Sequence, residues 1–454
     1  MVDFSAIVGE QQAFFGTGKT KDVKFRINAL KKLEDYIDKN DKDILAALKA
    51  DLNKSAFEAY AAEVGVVLDE LRLAVKEIPK WSRTKLVRTN LKTFPSIGKI
   101  YPEPYGVALV MSPWNYPFML TITPLIAAIA AGNCAIVKPS AYSPATSSAI
   151  AKMCEEVFDP NHVRVIEGGR KENEALLNQK YDIIFFTGSP SVGRTVMQAA
   201  AQHLTPVVLE LGGKSPCIID ETANIKLAAK HIAWGKFLNA GQTCVAPDYL
   251  LAHESIKDEL IKEITKAVKI QYGEEPLKNE DFPRIVNEKH FARILGLIEG
   301  QKLVFGGKSD SDKLRIEPTL LEAEPDSPAM GEEIFGPVLP VLTYNDKNEA
   351  IAMIKSRPKP LATYIFSSNK KNEQFFIENI SFGGGCVNDV IIHLSASNLP
   401  FGGVGESGMG NYHGKAGFDT FTHYKSVLQK SEHLDIKLRY PPYDEKNIKI
   451  LKKL

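Results

Sequence analysis

Between residues 22 and 78 apolar side chains recur three or four positions apart. Ile27, Leu30, Leu33 and Ile37 form one stripe among Lys, Arg and Asp residues, and Ile44, Leu48 and Leu52 continue it. That period predicts amphipathic helices. Residues 85–102 break it: they are polar, carry Pro95 and Pro102, and predict an extended arm. From Val107 the grammar changes again. Short apolar runs at 107–111, 134–137, 163–166, 182–186 and 206–210 read as strands, with helical stretches filling the four gaps. Strands joined by crossover helices predict a parallel sheet with helices on both faces. After Gly213 a second α/β pattern begins. Strands are expected at 216–219, 249–252, 338–343 and 363–366, helices at 225–237, 255–270 and 347–355. The Gly383-Gly384-Gly385 run and residues 400–410 read as loops. The fold class is α/β.

Ligands of open parallel sheets sit beyond the carboxyl ends of the strands. That directs attention to residues 112–116, 138–141, 187–193 and 210–213. The segment from Thr187 to Gly193 follows a strand and opens a helix, as a phosphate-binding turn does, or a plain tight turn. Arg194-Thr195 makes it a near miss for a nucleoside-triphosphate loop, because the lysine of that motif is absent. Lys138 ends an apolar strand, either as a solvated strand end or as a contact to a ribose hydroxyl or phosphate. Glu210 follows Pro-Val-Val-Leu, and a carboxylate there must be paired, protonated or functional. With a raised pKa it is a usable general base. Asn115, between Pro113 and Pro117, either fixes a turn or donates to an oxyanion. Cys244 differs from Cys134, Cys154 and Cys217, which lie in apolar surroundings. Glycine and polar residues precede it, as in a loop, where a thiolate could attack an electrophilic carbon.

Composition narrows the field. The chain has 454 residues, 44% hydrophobic and 24% charged, which suits two or three soluble domains. Lys+Arg of 56 against Asp+Glu of 55 argues against a nucleic-acid binder. The one basic stretch, from Lys446 to Lys453, is short and terminal. The longest apolar run, from Leu125 to Ala131, is too short to span a membrane, and no basic region precedes an apolar stretch at the N-terminus, so no signal peptide is expected. Five cysteines without a C-x-x-C pair suggest free thiols in a reducing cytoplasm. The histidines do not cluster with cysteines, so no metal site is expected.

Taken together the candidate residues resemble the aldehyde dehydrogenase superfamily. The matches are Pro-Trp-Asn at 113–115, Lys-Pro-Ser at 138–140, Phe-Thr-Gly-Ser at 186–189 with Val192-Gly193, and Glu-Leu-Gly-Gly-Lys at 210–214. Gly-Gln-Thr-Cys at 241–244, Glu-Glu-Ile-Phe-Gly-Pro at 332–337 and Pro-Phe-Gly-Gly at 400–403 follow in the family's order. A short N-terminus, Asn388-Asp-Val, and the glycine-rich run from Gly402 to Gly410 look like the class 3 branch, whose members act on aromatic and medium- to long-chain aldehydes. The membrane tail of that branch's fatty aldehyde members is missing here.

The resemblance implies a Rossmann-like NAD(P)-binding domain at 1–84 and 103–209, and a second α/β catalytic domain at 210–395. It implies a small oligomerisation arm at 85–102 and 420–440, and a homodimer. It makes Cys244 the nucleophile, Glu210 the general base, and the Asn115 amide with the Cys244 N–H the oxyanion hole. Gly188, Ser189 and Val192 would meet the cofactor's pyrophosphate and adenine, Lys138 its adenosine ribose, and Glu333 and Phe335 the nicotinamide half. Trp114, Ser140, Ala141 and Leu211 complete the cofactor set. Many members place a glutamate three residues after the lysine, where it repels a 2′-phosphate; here that position is Ala141, so NADP is expected as well as NAD. Tyr116, Trp234, Leu238, His393, Phe401, Tyr412 and His413 are the candidates for the aldehyde pocket, from their nearness to the matched motifs. The implied reaction runs through a thiohemiacetal and a thioester to the carboxylic acid. Coenzyme-A- or phosphate-dependent acylating enzymes of the same fold are the alternative. They need no carboxylate to activate water, so Glu210 favours hydrolysis. A plain thiol hydrolase lacks a histidine close in sequence to Cys244.

Overall fold

The structure is a computed structural model that describes residues 3–452, so Lys453 of the terminal basic stretch lies outside the described residues. The first long helix, Val23–Leu52, buries the predicted stripe: Leu30, Leu33, Ile37, Leu48 and Leu52 are all fully covered. Asp22 caps its start by accepting the Lys24 N–H at 2.9 Å, and left-handed Asn53 ends it. A short helix, Ala56–Ala59, runs through a π-helical turn, Tyr60–Val64, into Gly65–Trp81. An additional helix, Phe4–Gly16, escapes the periodicity reading because it buries only Ile7, Val8 and Gln11.

Five of the strands expected after Val107 form one sheet. Its order is Gly408–Met409, Val207–Leu211, Ile183–Gly188, Val107–Met111, Cys134–Lys138, Val163–Val165. All pairs are parallel except the edge pair with Gly408–Met409. The chain starts in the middle, moves outward to one side, then crosses to the other. The order therefore reverses between Val107–Met111 and Ile183–Gly188, and the crevice at that reversal opens beside residues 112–115 and Gly188–Ser189.

A second sheet has the order Lys302–Phe305, Thr319–Glu322, Val338–Tyr344, Tyr249–His253, Pro216–Ile219, Ala362–Phe366, Gly384–Val387. It corrects the reading of the glycine run as a loop: Gly384 and Gly385 are strand residues paired in parallel with Ala362 and Thr363. Glycine is required by close approach, since a Cβ on Gly385 would lie 1.9 Å from the Thr363 carbonyl oxygen. The loop expected at 400–410 also contains a bridge to the first sheet. Gly408 pairs with Glu210, at φ +140 and with room for no Cβ beside the Leu209 carbonyl. Strands Lys302–Phe305 and Thr319–Glu322 had no clear alternation to announce them.

The arm is extended as expected. Ser96–Pro104 pairs antiparallel with Thr422–Lys430 along its whole length, and Lys85–Val87 flanks it. This small sheet leaves Leu86, Ile97 and Leu428 exposed. Among the described residues no helix is long and apolar enough to cross a membrane.

Two glycines give opposite expectations. Gly385→Ala should destabilise by roughly 1–3 kcal/mol, because backbone must shift to admit the methyl. Gly296→Ala, in the exposed face of Glu288–Ile298 with nothing within 4 Å of the new Cβ, should stabilise by up to about 1 kcal/mol. Melting temperatures that fail to separate in these directions would contradict the packing described.

Candidate active site

Cys244 sits three residues beyond a turn of unusual backbone. Asn239, Ala240 and Gly241 all have positive φ, at 50, 51 and 73 degrees. Two non-glycine residues in that region carry a cost of about 1–3 kcal/mol each, so the surroundings must hold them. They do. The Asn239 N–H donates to Glu58 Oε1 at 2.8 Å, and its side-chain amide donates to the carbonyls of Asn115 at 2.8 Å and Gln242 at 3.1 Å. Gln242 donates to the carbonyls of Asn239 and Arg284 and accepts the Val286 N–H. Gly241 backs onto the Gly336 carbonyl, where a Cβ would lie 2.2 Å away.

Asn115 is locked to this turn. Its amide donates to the Gln242 carbonyl at 3.1 Å, which spends one of its two N–H bonds. From below, its own carbonyl accepts the Lys54 ammonium at 2.8 Å. Lys54 is fully buried, 2.5 Å from Glu63, and lies 3.9 Å from the centre of the Tyr116 ring. Glu63 in turn accepts the Phe118 and Met119 N–H groups. The Tyr116 hydroxyl shares a 2.7 Å hydrogen bond with Thr243, next to Cys244.

Glu210 reaches the same place from the other side. It lies near the carboxyl end of Val207–Leu211, between Thr187 and Gly408 in register, and is 2% exposed. Neither of its carboxylate oxygens has a hydrogen-bond partner of ordinary geometry among the described residues. Burial pushes it up to about 7, and the nearby Cys244 thiol and Thr187 hydroxyl pull partway back. Cys244 is pushed well above the ordinary thiol range, first by burial and then by the Glu210 and Glu333 carboxyls. Burial and the two carboxyls thus favour the protonated thiol, and a thiolate able to attack has to be formed by removing that proton.

Two cavities meet at Cys244. One, of about 710 Å³, is lined by Trp114, Asn115, Gly188, Ser189, Glu210, Leu211, Glu333 and Phe335. The other, of about 520 Å³, is lined by Tyr116, Trp234, Leu238, Phe401, Tyr412 and His413, and is largely apolar. His393 is not on that wall. Its ring packs 6.1 Å from Tyr364 and 6.0 Å from Phe401 and meets the Cys386 sulfur at 3.5 Å, so it belongs to the packing behind.

Lys138, Ser140, Ala141 and Val192 stand outside the larger cavity. The Lys138 ammonium is tied to the carbonyls of Pro139 at 2.7 Å and Gly168 at 2.6 Å; burial lowers it to about 8 against the pull of Glu172 and Glu167. Val192 is exposed in the first turn of Pro190–Ala201, where its N–H donates to Ser189 Oγ. The sequence reading missed Lys54, Glu58, Glu63, Asn239 and Gln242. Lys54, Glu58 and Glu63 sit within a helical pattern in which a charge ordinarily faces water, so no local signal marked them.

The model of the aldehyde dehydrogenase family matches residues 2–427. The chain is 51% identical over 440 residues to a 4,4'-diaponeurosporen-aldehyde dehydrogenase of Staphylococcus aureus, covering 96% of each. It is 44% identical over 445 residues to a dimeric, NADP-preferring aldehyde dehydrogenase of Canis lupus familiaris, covering 97% of this chain and 98% of that one. Among solved structures, the substrate-bound state of Staphylococcus aureus AldH superposes with a TM-score of 0.97 at 50% identity, covering 100% of this chain and 99% of that one.

The dry setting of Glu210 predicts a trade of stability against pH. The gap between an ordinary 4.5 and about 7 corresponds to roughly 3 kcal/mol. The folded state keeps that advantage at acid pH, where the carboxyl is neutral in both states. It is lost as pH rises through 7 and the buried group must ionise. Glu210→Gln should therefore melt above the wild type at about pH 8.5 and lose that gain toward about pH 5. A variant less stable at alkaline pH would show that the carboxylate is satisfied after all.

Proposed function

The chain belongs to the aldehyde dehydrogenase family and oxidises aldehydes with NAD(P), and we propose that Cys244, Glu210 and Asn115 carry that chemistry. The observation behind this reading is the junction itself: a half-buried thiol beside a buried carboxyl, reached from two cavities with different linings. The polar one suits the cofactor. Pro190–Ala201 presents its N-terminal N–H groups there. Glu333 has a buried oxygen with no partner among the described residues, and Gly212 leaves a cradle in which a Cβ would lie 2.0 Å from that carboxyl. These features fit a ribose and a pyrophosphate. Glu333 and Phe335 would hold the nicotinamide half, Gly188, Ser189 and Leu211 the middle, and Lys138, Ser140, Ala141 and Val192 the outer ribose and adenine. Bound NAD(P) supplies the hydride acceptor.

The protein's own groups do the rest. Glu210 takes the Cys244 proton, which its raised pKa allows near neutrality. The sulfur attacks the aldehyde carbon, and the free Asn115 N–H and the Cys244 N–H stabilise the resulting oxyanion. After oxidation a thioester remains on Cys244. Glu210 passes the thiol's proton to solvent and, again a carboxylate, deprotonates water. The hydroxide attacks the thioester carbon, the carbon–sulfur bond breaks, and the acid leaves as the sulfur regains a proton from Glu210. A base so placed favours hydrolysis over transfer to coenzyme A or phosphate. The apolar cavity suits an aromatic or medium- to long-chain aldehyde.

The exposed apolar residues of the small arm sheet support a homodimer, as does the likeness to the dimeric Canis lupus familiaris enzyme. The arm sheet would be the oligomerisation element, the first α/β sheet the cofactor domain and the second the catalytic domain. Five free cysteines suit the reducing cytoplasm.

Cys244→Ala should abolish aldehyde oxidation while leaving cofactor binding, read by fluorescence titration, largely intact. Glu210→Gln should give a burst of reduced cofactor and then slow turnover. Oxidation near the wild-type rate in Cys244→Ala would remove the assignment of the nucleophile. For cofactor choice, the wild type should accept NADP as well as NAD, because no carboxylate stands at Ala141. Ala141→Glu should lower the NADP-to-NAD ratio of kcat/KM about tenfold or more through repulsion of the 2′-phosphate. An unchanged ratio would place the 2′-position elsewhere.

A further inference from the structure

The wall of the aldehyde cavity carries a second, unexpected charge. Glu58 lines it from the helix Ala56–Ala59, with Asp281 on the same wall. Neither Lys nor Arg lines this cavity among the described residues. The nearest ammonium, Lys54, is turned away from it, committed to Glu63 and the Asn115 carbonyl. The imidazole on the wall, His413, is held neutral, since burial pushes it down to about 4. Counting the charged groups that face Glu58, one cation (Lys54) stands against Glu63 and Asp281, with the Asn239 N–H as the sole hydrogen bond to its carboxyl among the described residues. Lys54 is the strongest of these influences but is paired with Glu63 at 2.5 Å, so the charged side chains that line the cavity itself, Glu58 and Asp281, are both acidic. The Glu58 charge reaches Tyr116, beside the reacting thiol, and Tyr272 further out.

We propose that Glu58 sets the charge selectivity of the enzyme, excluding aldehydes whose tails end in a carboxylate and admitting uncharged ones. The proposal rests on the assignment of this cavity to the aldehyde tail. An anionic tail would have to leave water and lie near a like charge where the wall offers no cation and little polar surface, a double penalty that an alkyl or aryl tail does not meet. A repelling residue of this kind is a recognised way to gain specificity without improving the contacts to the preferred substrate.

The test compares hexanal with adipate semialdehyde, equal in chain length and different in the terminal carboxylate. Wild type at about pH 8.5 should favour hexanal in kcat/KM by roughly 100-fold or more. Glu58→Gln keeps the size of the side chain and an oxygen for the Asn239 N–H, and should narrow that ratio about tenfold; Glu58→Asp should preserve most of it. A measurement on the wild type alone is available if the variant does not fold. Burial raises Glu58 to about 7, so the discrimination should weaken several-fold between about pH 8.5 and pH 6, while the substrate's own carboxylate stays ionised. In Glu58→Gln that pH step should vanish, which separates Glu58 from Glu210, the other carboxyl near 7. Equal use of both aldehydes by the wild type, or a ratio unmoved by Glu58→Gln, overturns the selectivity role and leaves the aldehyde oxidation standing. Oxidation of neither aldehyde would overturn both.

Discussion

A half-buried thiol and a buried carboxyl meet between the two sheets, and burial disfavours the charge of each. That constraint organises the rest of the molecule. Glu210 has no hydrogen bond of ordinary geometry among the described residues, and Cys244 faces carboxyls instead of cations. The Glu210 carboxylate disfavours the thiolate, while the thiol partly favours the carboxylate, so the thiol proton has to pass to Glu210 or out to water before the sulfur can act. The arrangement can exist only because both groups are carried on backbone that cannot relax away from it.

The two supports differ in kind. Glu210 is held by ordinary sheet geometry, flanked by Thr187 on one strand and Gly408 on another, with the Leu211 N–H also bonded to the Ser407 carbonyl at 3.0 Å. Cys244 follows a strained left-handed turn, and the strain is offset by buried hydrogen bonds from Asn239 and Gln242. Net contributions of about 1 kcal/mol per bond make the sum comparable to the cost of two non-glycine residues at positive φ. Beneath the turn, the Lys54–Glu63 pair ties the segment from Asn115 to Met119 to the N-terminal helices. A buried ion pair adds little net stability. Its value here is geometric, since losing either partner would strand the other charge beneath Asn115.

The junction also divides the molecule's interior by chemistry. On one side, glycines, a helix N-terminus and acidic side chains form a polar cleft at the reversal point of the first sheet. On the other, aromatic and aliphatic side chains from the N-terminal helices, the helix Ile225–Phe237 and the segment following the second sheet enclose an apolar cavity. A reacting carbon at Cys244 faces both. Glu58 interrupts the apolar side with a charge drawn from a helix that otherwise contributes packing.

The alternation of apolar runs with helical stretches was enough to state that the first sheet is built of parallel strands, because a strand buried on both faces must be apolar throughout. The order of those strands and the antiparallel edge at Gly408–Met409 came from the tertiary structure. For Cys244, Glu210 and Asn115 the local sequence offered a functional reading beside a plain one (an inert thiol, an ion pair, a turn), and it was the resemblance that chose between them. Their seven accompanying motifs made the family legible too. What the tertiary structure alone decided is which charges are buried and what they face. Lys54, Glu58 and Glu63 sit in a pattern that looks solvent-facing, and only the packing of the N-terminal helices against residues 115–119 and 239–242 takes them out of water. Gly384 and Gly385 became strand residues for the same reason, and the Gly402 and Thr363 carbonyls approach Gly383 and Gly385 too closely to admit a side chain. His393 fell behind the cavity wall although its neighbours line it. Local sequence reports the preference of each segment; burial and charge environment are properties of contacts between segments far apart in the chain, and those decided the site's electrostatics.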